Sequence, residues 1–106
     1  MKTESVVSYT VTLSEDAFED LREVAHYIES FAPEKAEMFV GDIIDHFENV
    51  LGQFPHSGKL YLKQIRKLTY KKHTAFYIVD DEYRSVEILH VIDLAKPLEE
   101  RGIDLG

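Results

Sequence analysis

The sequence predicts an α+β domain in which an N-terminal strand and an antiparallel helical hairpin precede a three-stranded antiparallel meander. Three observations predict it. Residues 6–13 alternate with period two and are rich in β-branched side chains. Residues 15–54 carry apolar side chains at helical spacing, interrupted once near Pro33. From residue 65 onward the period returns to two. At 106 residues the chain holds one domain with one core.

In the first strand Val7, Tyr9, Val11 and Leu13 form one face and Val6, Ser8, Thr10 and Thr12 the other. Ser14 is placed to cap a helix, and Glu15 and Asp16 in its first turn favour the helix dipole. Phe18, Leu21, Val24, Ala25 and Ile28 then mark an amphipathic helix from Glu15 to about Phe31. Pro33 opens a second helix at its first position, and its apolar stripe runs from Ala36 to Phe54 as core. The short join packs the two helices antiparallel. Pro55 stops the second helix, and His56-Ser57-Gly58 is a turn. Strands follow at Ile65–Tyr70, Thr74–Val79 and Ser85–Ile92, with a polar turn at Asp80-Asp81-Glu82. Val86, Ile88 and His90 are expected on one face of the last strand, and Glu87, Leu89 and Val91 on the other. Helices on one sheet face leave the other face for a partner. The tail from Leu94 to Ile103 is expected to dock in part, with a short helix from Pro97.

Composition removes several function classes. Without cysteine there are no disulfides, zinc–cysteine sites, thiol catalysis or iron–sulfur clusters. No apolar run reaches membrane-span length, and Met1-Lys2-Thr3-Glu4 lacks a signal peptide's apolar stretch, so a cytoplasmic protein is expected. Twenty acidic against twelve basic residues give a net charge of −8, which argues against direct nucleic-acid binding. The bases are concentrated. Lys59, Lys63, Arg66, Lys67, Lys71 and Lys72 fall between His56 and Val79, where there is no acid. One positive face on an acidic body is the expectation, and it is the first place to seek function. Lysines guarding an edge strand against aggregation would look the same in sequence.

Arg66, His73, Tyr77 and His90 form a second candidate set. Cleavage of RNA by its own 2′-hydroxyl needs a base, an acid and a cation for the phosphorane, and these residues supply each type. Ordinary polar residues on a half-exposed sheet supply them too. His26 and His46 have carboxylates nearby, Glu23 and Asp42, but intrahelical ion pairs account for both better than a metal site does. The chain has no phosphate-binding glycine loop, nucleophile elbow or zinc motif, so no cofactor is expected.

Read together, these segments resemble the RelE/ParE family of toxins from type II toxin–antitoxin modules. The likeness begins with Leu13-Ser14-Glu15-Asp16-Ala17 and Asp20-Leu21, followed by Val24-Ala25-His26-Tyr27-Ile28. It continues through Pro33-Glu34-Lys35-Ala36, Phe54-Pro55-His56-Ser57-Gly58-Lys59 and Ile65-Arg66-Lys67-Leu68. Lys71-Lys72-His73, Phe76-Tyr77-Ile78-Val79 and Val86 to Ile92 complete it, nearly end to end. The resemblance implies a toxin neutralised by a cognate antitoxin in a hetero-oligomer. It also implies one of two activities, ribosome-dependent mRNA cleavage in the RelE branch or DNA gyrase poisoning in the ParE branch. The long helical hairpin and the Phe54–Lys59 turn look more like the ParE branch. His90 stands where that family usually has Arg, and Asp93 where it has His, while Ala95-Lys96 keeps a small-then-basic pair. An acid in place of a base weakens phosphate chemistry. The leading expectation is therefore a non-enzymatic gyrase inhibitor with Arg66, Lys67, Lys71, Lys72 and His73 on its target, and Lys59 and Lys96 at the margins. The alternatives are a nuclease using Arg66, His73 and His90, or a toxin fold retained only for interaction.

Overall fold

The structure is a computed structural model that describes residues 8–94. The chain runs β1 (Thr10–Leu13), α1 (Glu15–Glu29), α2 (Pro33–Gln53), β2 (Lys59–Leu62), β3 (Ile65–Tyr70), β4 (His73–Asp80) and β5 (Ser85–Asp93). All five strands make one sheet in the order β1-β5-β4-β3-β2. The α+β architecture with an antiparallel helical hairpin is as the sequence predicts. The meander, however, has four strands, because β2 precedes the three that were expected. The expected first strand begins at Thr10 among the described residues, and the expected tail helix from Pro97 lies outside them.

Helix boundaries follow local chemistry. The Ser14 side chain accepts a hydrogen bond from the Ala17 N–H at 3.0 Å and caps α1. That same hydroxyl donates to the Leu89 carbonyl at 2.8 Å, so the cap also ties the helix start to β5. Pro33 occupies the first turn of α2, where its missing N–H costs nothing. Ala17 and Leu21 of α1 and Ile43, Phe47 and Leu51 of α2 bury their side chains on Ala75, Tyr77, Val86, Ile88 and Val91 of the sheet. Each large one contributes about 1.5–3 kcal/mol by leaving water.

β5 departs from simple alternation. Phe76 pairs with His90 but Tyr77 pairs with Ile88, so Leu89 is left without an opposite residue. This bulge shifts the phase of the strand. Val91 therefore joins Val86 and Ile88 in the core, which corrects the expectation that it faces away from them. Beyond the end of β1, Asp20 of α1 reaches the β5 edge and accepts from the Val91 N–H at 2.9 Å. Its same oxygen lies 3.0 Å from His90 Nδ1.

The sheet face away from the helices is only partly open. Thr74, Phe76 and Ile92 are all buried there. The Tyr61 ring of β2 packs edge-on against Phe76 with centroids 5.0 Å apart. Lys67 in turn sits over that Tyr61 ring, at 5.4 Å.

The turn between α2 and β2 is clamped by the sheet. The Gly58 N–H donates to the buried Tyr77 hydroxyl at 2.9 Å, and the Gly58 carbonyl accepts from Arg66 at 2.8 Å. A Cβ on Gly58 would collide with the Tyr77 oxygen and lie 2.6 Å from the Lys67 carbonyl. Gly41, inside α2, has nothing among the described residues within 4 Å of a Cβ. Gly58→Ala should thus destabilise by about 1–3 kcal/mol through overpacking. Gly41→Ala should stabilise by about 0.5–1 kcal/mol through helix propensity. Urea denaturation of the two variants checks this pair of opposite signs.

Candidate functional site

The basic residues of the 56–79 region divide among separate places. Adjacent residues of a strand point to opposite faces. Arg66 pairs with Tyr77 on the helix side, whereas Lys67 pairs with Phe76 on the far side. Lys59 lies opposite Lys67. Lys63 has φ 52° in the β2–β3 turn, while Lys71 and Lys72 lie in the β3–β4 turn at the other end of β3. The expected single positive face is therefore two turns and a pair of strand positions, because the pleat and the hairpins disperse neighbours in sequence.

Arg66 is spent on the fold. Its guanidinium donates to the carbonyls of Gly58 and His56, at 2.8 and 3.3 Å. His73 is 5% exposed, so its imidazole is not a surface contact. The Lys71 carbonyl accepts from Nδ1 at 2.8 Å, which fixes the proton there. Among the described residues Nε2 then has no hydrogen-bond partner, and it lies 3.9 Å from an Asp93 carboxylate oxygen.

The four residues of the acid–base set do not meet around a cavity. Burial raises the Tyr77 phenol above its ordinary pKa, and the Gly58 N–H opposes that more weakly. His73 pairs with Asp93 and His90 with Phe76, three positions apart along β4, or about 10 Å. His90 is held against α1 by Asp20 and lies 3.8 Å from Asp16. None of Arg66, Tyr77 and His90 lines the cavity to which His73 contributes.

A hydrophobic groove beside the helical hairpin is expected from the sequence, but the residues that line this cavity are not named by it. About 380 Å³ in volume, it opens between the C-terminal end of α1, the start of α2 and the β3–β4 turn. Val24, Ile28 and Phe39 give it an apolar floor beside His73, whose ring meets Phe39 edge-on at 5.7 Å. Lys35, Lys71 and Lys72 border it, together with Asp93. A second hollow of about 370 Å³ shares Lys35, Phe39 and Lys71 and extends to Met38 and Asp42, so the two form one groove along α2. Sequence placed Ile28 and Phe39 in helical stripes, but not at a common opening.

The turn beside the groove is strained and tethered. Lys71 and Lys72 have φ of 50° and 64°, the type I′ geometry that usually selects Asn and Gly. Lys71 Nζ lies 2.8 Å from Asp42 of α2, and the Tyr70 hydroxyl donates to the same oxygen at 3.0 Å. His46 stacks flat on Tyr70, with centroids 3.6 Å apart. Asp42 therefore serves the hairpin rather than an ion pair with His46, as its spacing suggested. His26 sits 4.0 Å from Glu29 rather than beside Glu23. Among the described residues no cluster of three metal-ligating side chains occurs.

The fold and this groove can now be set beside known proteins. Residues 11–96 match the family model described as ParE toxin of type II toxin–antitoxin system, parDE. The chain belongs to the ParE toxin family. No curated protein sequence matches it. A chain of the chromosomal ParDE toxin–antitoxin system of P. aeruginosa shares the fold, with TM-score 0.70 and 22% identity, over 82% of this chain and 97% of that one. A chain of the RelBE2 complex of Mycobacterium tuberculosis follows at TM-score 0.66 and 21% identity, over 89% and 100% of the two chains. For the intact RelBE complex of E. coli the values are 0.51 and 19%, over 79% and 94%. Both kinds of toxin thus share the architecture.

The Asp42 tether has a checkable pH signature. Its hydrogen bond from Lys71, then that from Tyr70, hold the Asp42 carboxyl below the usual carboxylate range. Lys71 is raised by the same bond. A depressed acid stabilises the fold above its unfolded-state pKa, and that contribution is lost as pH falls through the native value. In a carbon-detected NMR titration Asp42 should titrate below an unperturbed aspartate, and Lys71→Met should move it up towards the ordinary range while the Tyr70 bond keeps part of the depression.

Proposed function

We propose that this ParE-family toxin inhibits DNA gyrase by binding it, and that a cognate antitoxin neutralises it in a hetero-oligomer. The observation carrying the inhibitory mode is the dispersal of Arg66, His73, Tyr77 and His90. Two of them hold the α2–β2 turn, one is buried, and one is fastened to α1. General acid–base catalysis needs its groups within reach of one reacting centre. Binding needs only complementary surface. The ParE family match and a net charge of −8 support the same direction.

Of the residues expected at the target, Lys67, Lys71 and Lys72 carry the contact in this reading, and Lys59 beside Lys67 extends it. Arg66 and His73 position them. Arg66 fixes the start of β2 through Gly58, and His73 holds the Lys71 carbonyl in the turn. Lys96 lies outside the described residues. The contacts are electrostatic, so they steer encounter and weaken with salt.

Induced expression in a bacterial host should give filamentation and a DNA-damage response, and the purified toxin should inhibit gyrase supercoiling. Lys67→Glu with Lys72→Glu should weaken that inhibition at least tenfold while thermal unfolding stays within a few degrees, on the order expected for surface substitutions. Immediate arrest of translation with shortened messages would instead identify a ribosomal nuclease. No growth effect would leave a fold kept for interaction alone.

A further inference from the structure

We infer that a separate hollow, where the helical hairpin meets β1, is a binding site for a small amphipathic amine, with its apolar body seated in the core and its ammonium held at Glu48. The inference stands apart from the target and antitoxin readings above. The hollow shares no lining residue with the groove and includes none of the target lysines. Size, apolarity and the sign of one charge choose the occupant.

The hollow enters the main core. It is about 270 Å³ in volume and lies among Val11 and Leu13 of β1, Ile44 and Phe47 of α2 and Ile88 of β5. Phe47 and Ile88 are almost wholly buried, yet Val11, Leu13 and Ile44 beside them stay only partly buried. Protein interiors pack as densely as organic crystals, with few voids larger than a water molecule. Lining atoms that face an unfilled gap forfeit dispersion contacts, so an empty space of this size works against the fold. The topology accounts for its position. β1 is only four residues long and is the edge strand, so among the described residues no further strand closes the layer beneath α2. An apolar cavity of about 150 Å³ already holds a benzene ring, so this one has room for an aromatic ring and a short tail.

The mouth selects the charge. Thr12 and Glu48 are the exposed residues of the lining and mark the way in. The Thr12 hydroxyl is engaged with the Val86 carbonyl at 3.4 Å. The Glu48 carboxylate makes no ion pair or hydrogen bond among the described residues, and no lysine or arginine lines the hollow with it. An ammonium at the mouth supplies the missing partner, while its apolar body fills the floor. A neutral molecule of the same shape gains only the floor, and a carboxylic acid meets like charge on a chain of net charge −8. The floor itself offers no polar side chain among the described residues, so a hydroxyl or amide at the buried end would lose its water without replacement. The ligand class is therefore an arylalkylamine, with one ring inward and one cation outward. A concave, mostly apolar site with one placed polar group is the usual make of a small-molecule site.

The test uses the full chain and phenethylamine as the probe, with phenethyl alcohol and hydrocinnamate as its neutral and anionic counterparts. In carbon–proton NMR the amine should cause saturable shifts and intermolecular NOEs at the Val11, Leu13 and Ile44 methyls. The Val24 and Ile28 methyls of the groove should stay in place. Phenethylamine should bind roughly fivefold more tightly than the alcohol, the worth of one exposed ion pair, and hydrocinnamate more weakly than either. Glu48→Gln should erase that preference and leave the affinity for the alcohol as it was. The amine should also raise the unfolding temperature with increasing concentration, since it binds only the folded chain. Ile44→Phe fills the hollow from within, and it should remove the methyl shifts at an unchanged or higher unfolding temperature. A lower one would mean that there is no space to fill, and the inference would fall. An amine preference that survives Glu48→Gln would overturn it, as would no shift at millimolar amine or shifts confined to the groove. If the Val11 and Leu13 signals instead move with the concentration of the toxin alone, a second copy is the occupant, and the amine site is refuted.

Discussion

β5 takes hydrogen bonds from β4 on one edge and, in parallel, from β1 on the other. Thr10 to Leu13 pair with Ser85 to Ile88, so the first described strand is joined to the last. A parallel pair cannot be made by a tight turn and needs a long crossover. Here the crossover is everything between them, including both helices and three strands. The hairpin must leave at the β1 edge and deliver the chain to β2 on the opposite edge, which lays α1 and α2 across one face of the sheet. That constraint also places the end of α1 and the start of α2 beside the β3–β4 turn. The groove is a consequence of where the crossover bends.

Two clamps keep this arrangement in register. At the β5 edge, Ser14 and Asp20 continue the work of β1 after it ends. Ser14 donates from its N–H to the Ile88 carbonyl and from its hydroxyl to that of Leu89, and Asp20 accepts from the Val91 N–H. The bulge at Leu89 falls within this segment, where α1 supplies the bonds a neighbouring strand would have made. At the other side, Tyr77 and Arg66 seize the two backbone groups of Gly58. An unpaired buried phenol would be costly, and the Gly58 N–H removes that cost. Residues that look like acid–base chemistry in the sequence are here the fasteners of the α2–β2 turn.

Much of the fold was legible because local chemistry wrote it. Ser14 and Pro33 announce helix starts, and Val11 and Leu13 reach the core as their alternation indicates. What escaped was non-local. β2 is only four residues, every one of them exposed, so no burial pattern distinguishes it from a loop. Its existence depends on pairing with β3, which no property of Lys59–Leu62 alone reveals. The parallel partner of β1 was hidden for the same reason. The split of Arg66 from Lys67 was available from the period of two, yet a run of like charges obscured it. His73 was read as surface because histidine is often exposed. Its burial comes from Phe39 and the Lys71 carbonyl, on elements far apart or turned back.

The β3–β4 turn brings these threads to one point. A two-residue turn with both φ positive disfavours side chains with a Cβ by about 1–2 kcal/mol each, and Asn-Gly would relieve it. Lysines stand there instead. Three interactions hold them: Asp42 with the Lys71 ammonium, the His73 imidazole on the Lys71 carbonyl, and the Leu94 N–H on the Lys72 carbonyl. Such over-determination is what allows strained backbone to persist, and strain of this sort concentrates at functional sites. Two cations are thereby presented at the mouth of an apolar groove, on a body that is otherwise strongly acidic. A relaxed turn would keep the hairpin and lose that charge at that place. The physical account of the groove's mouth is therefore an account of this turn.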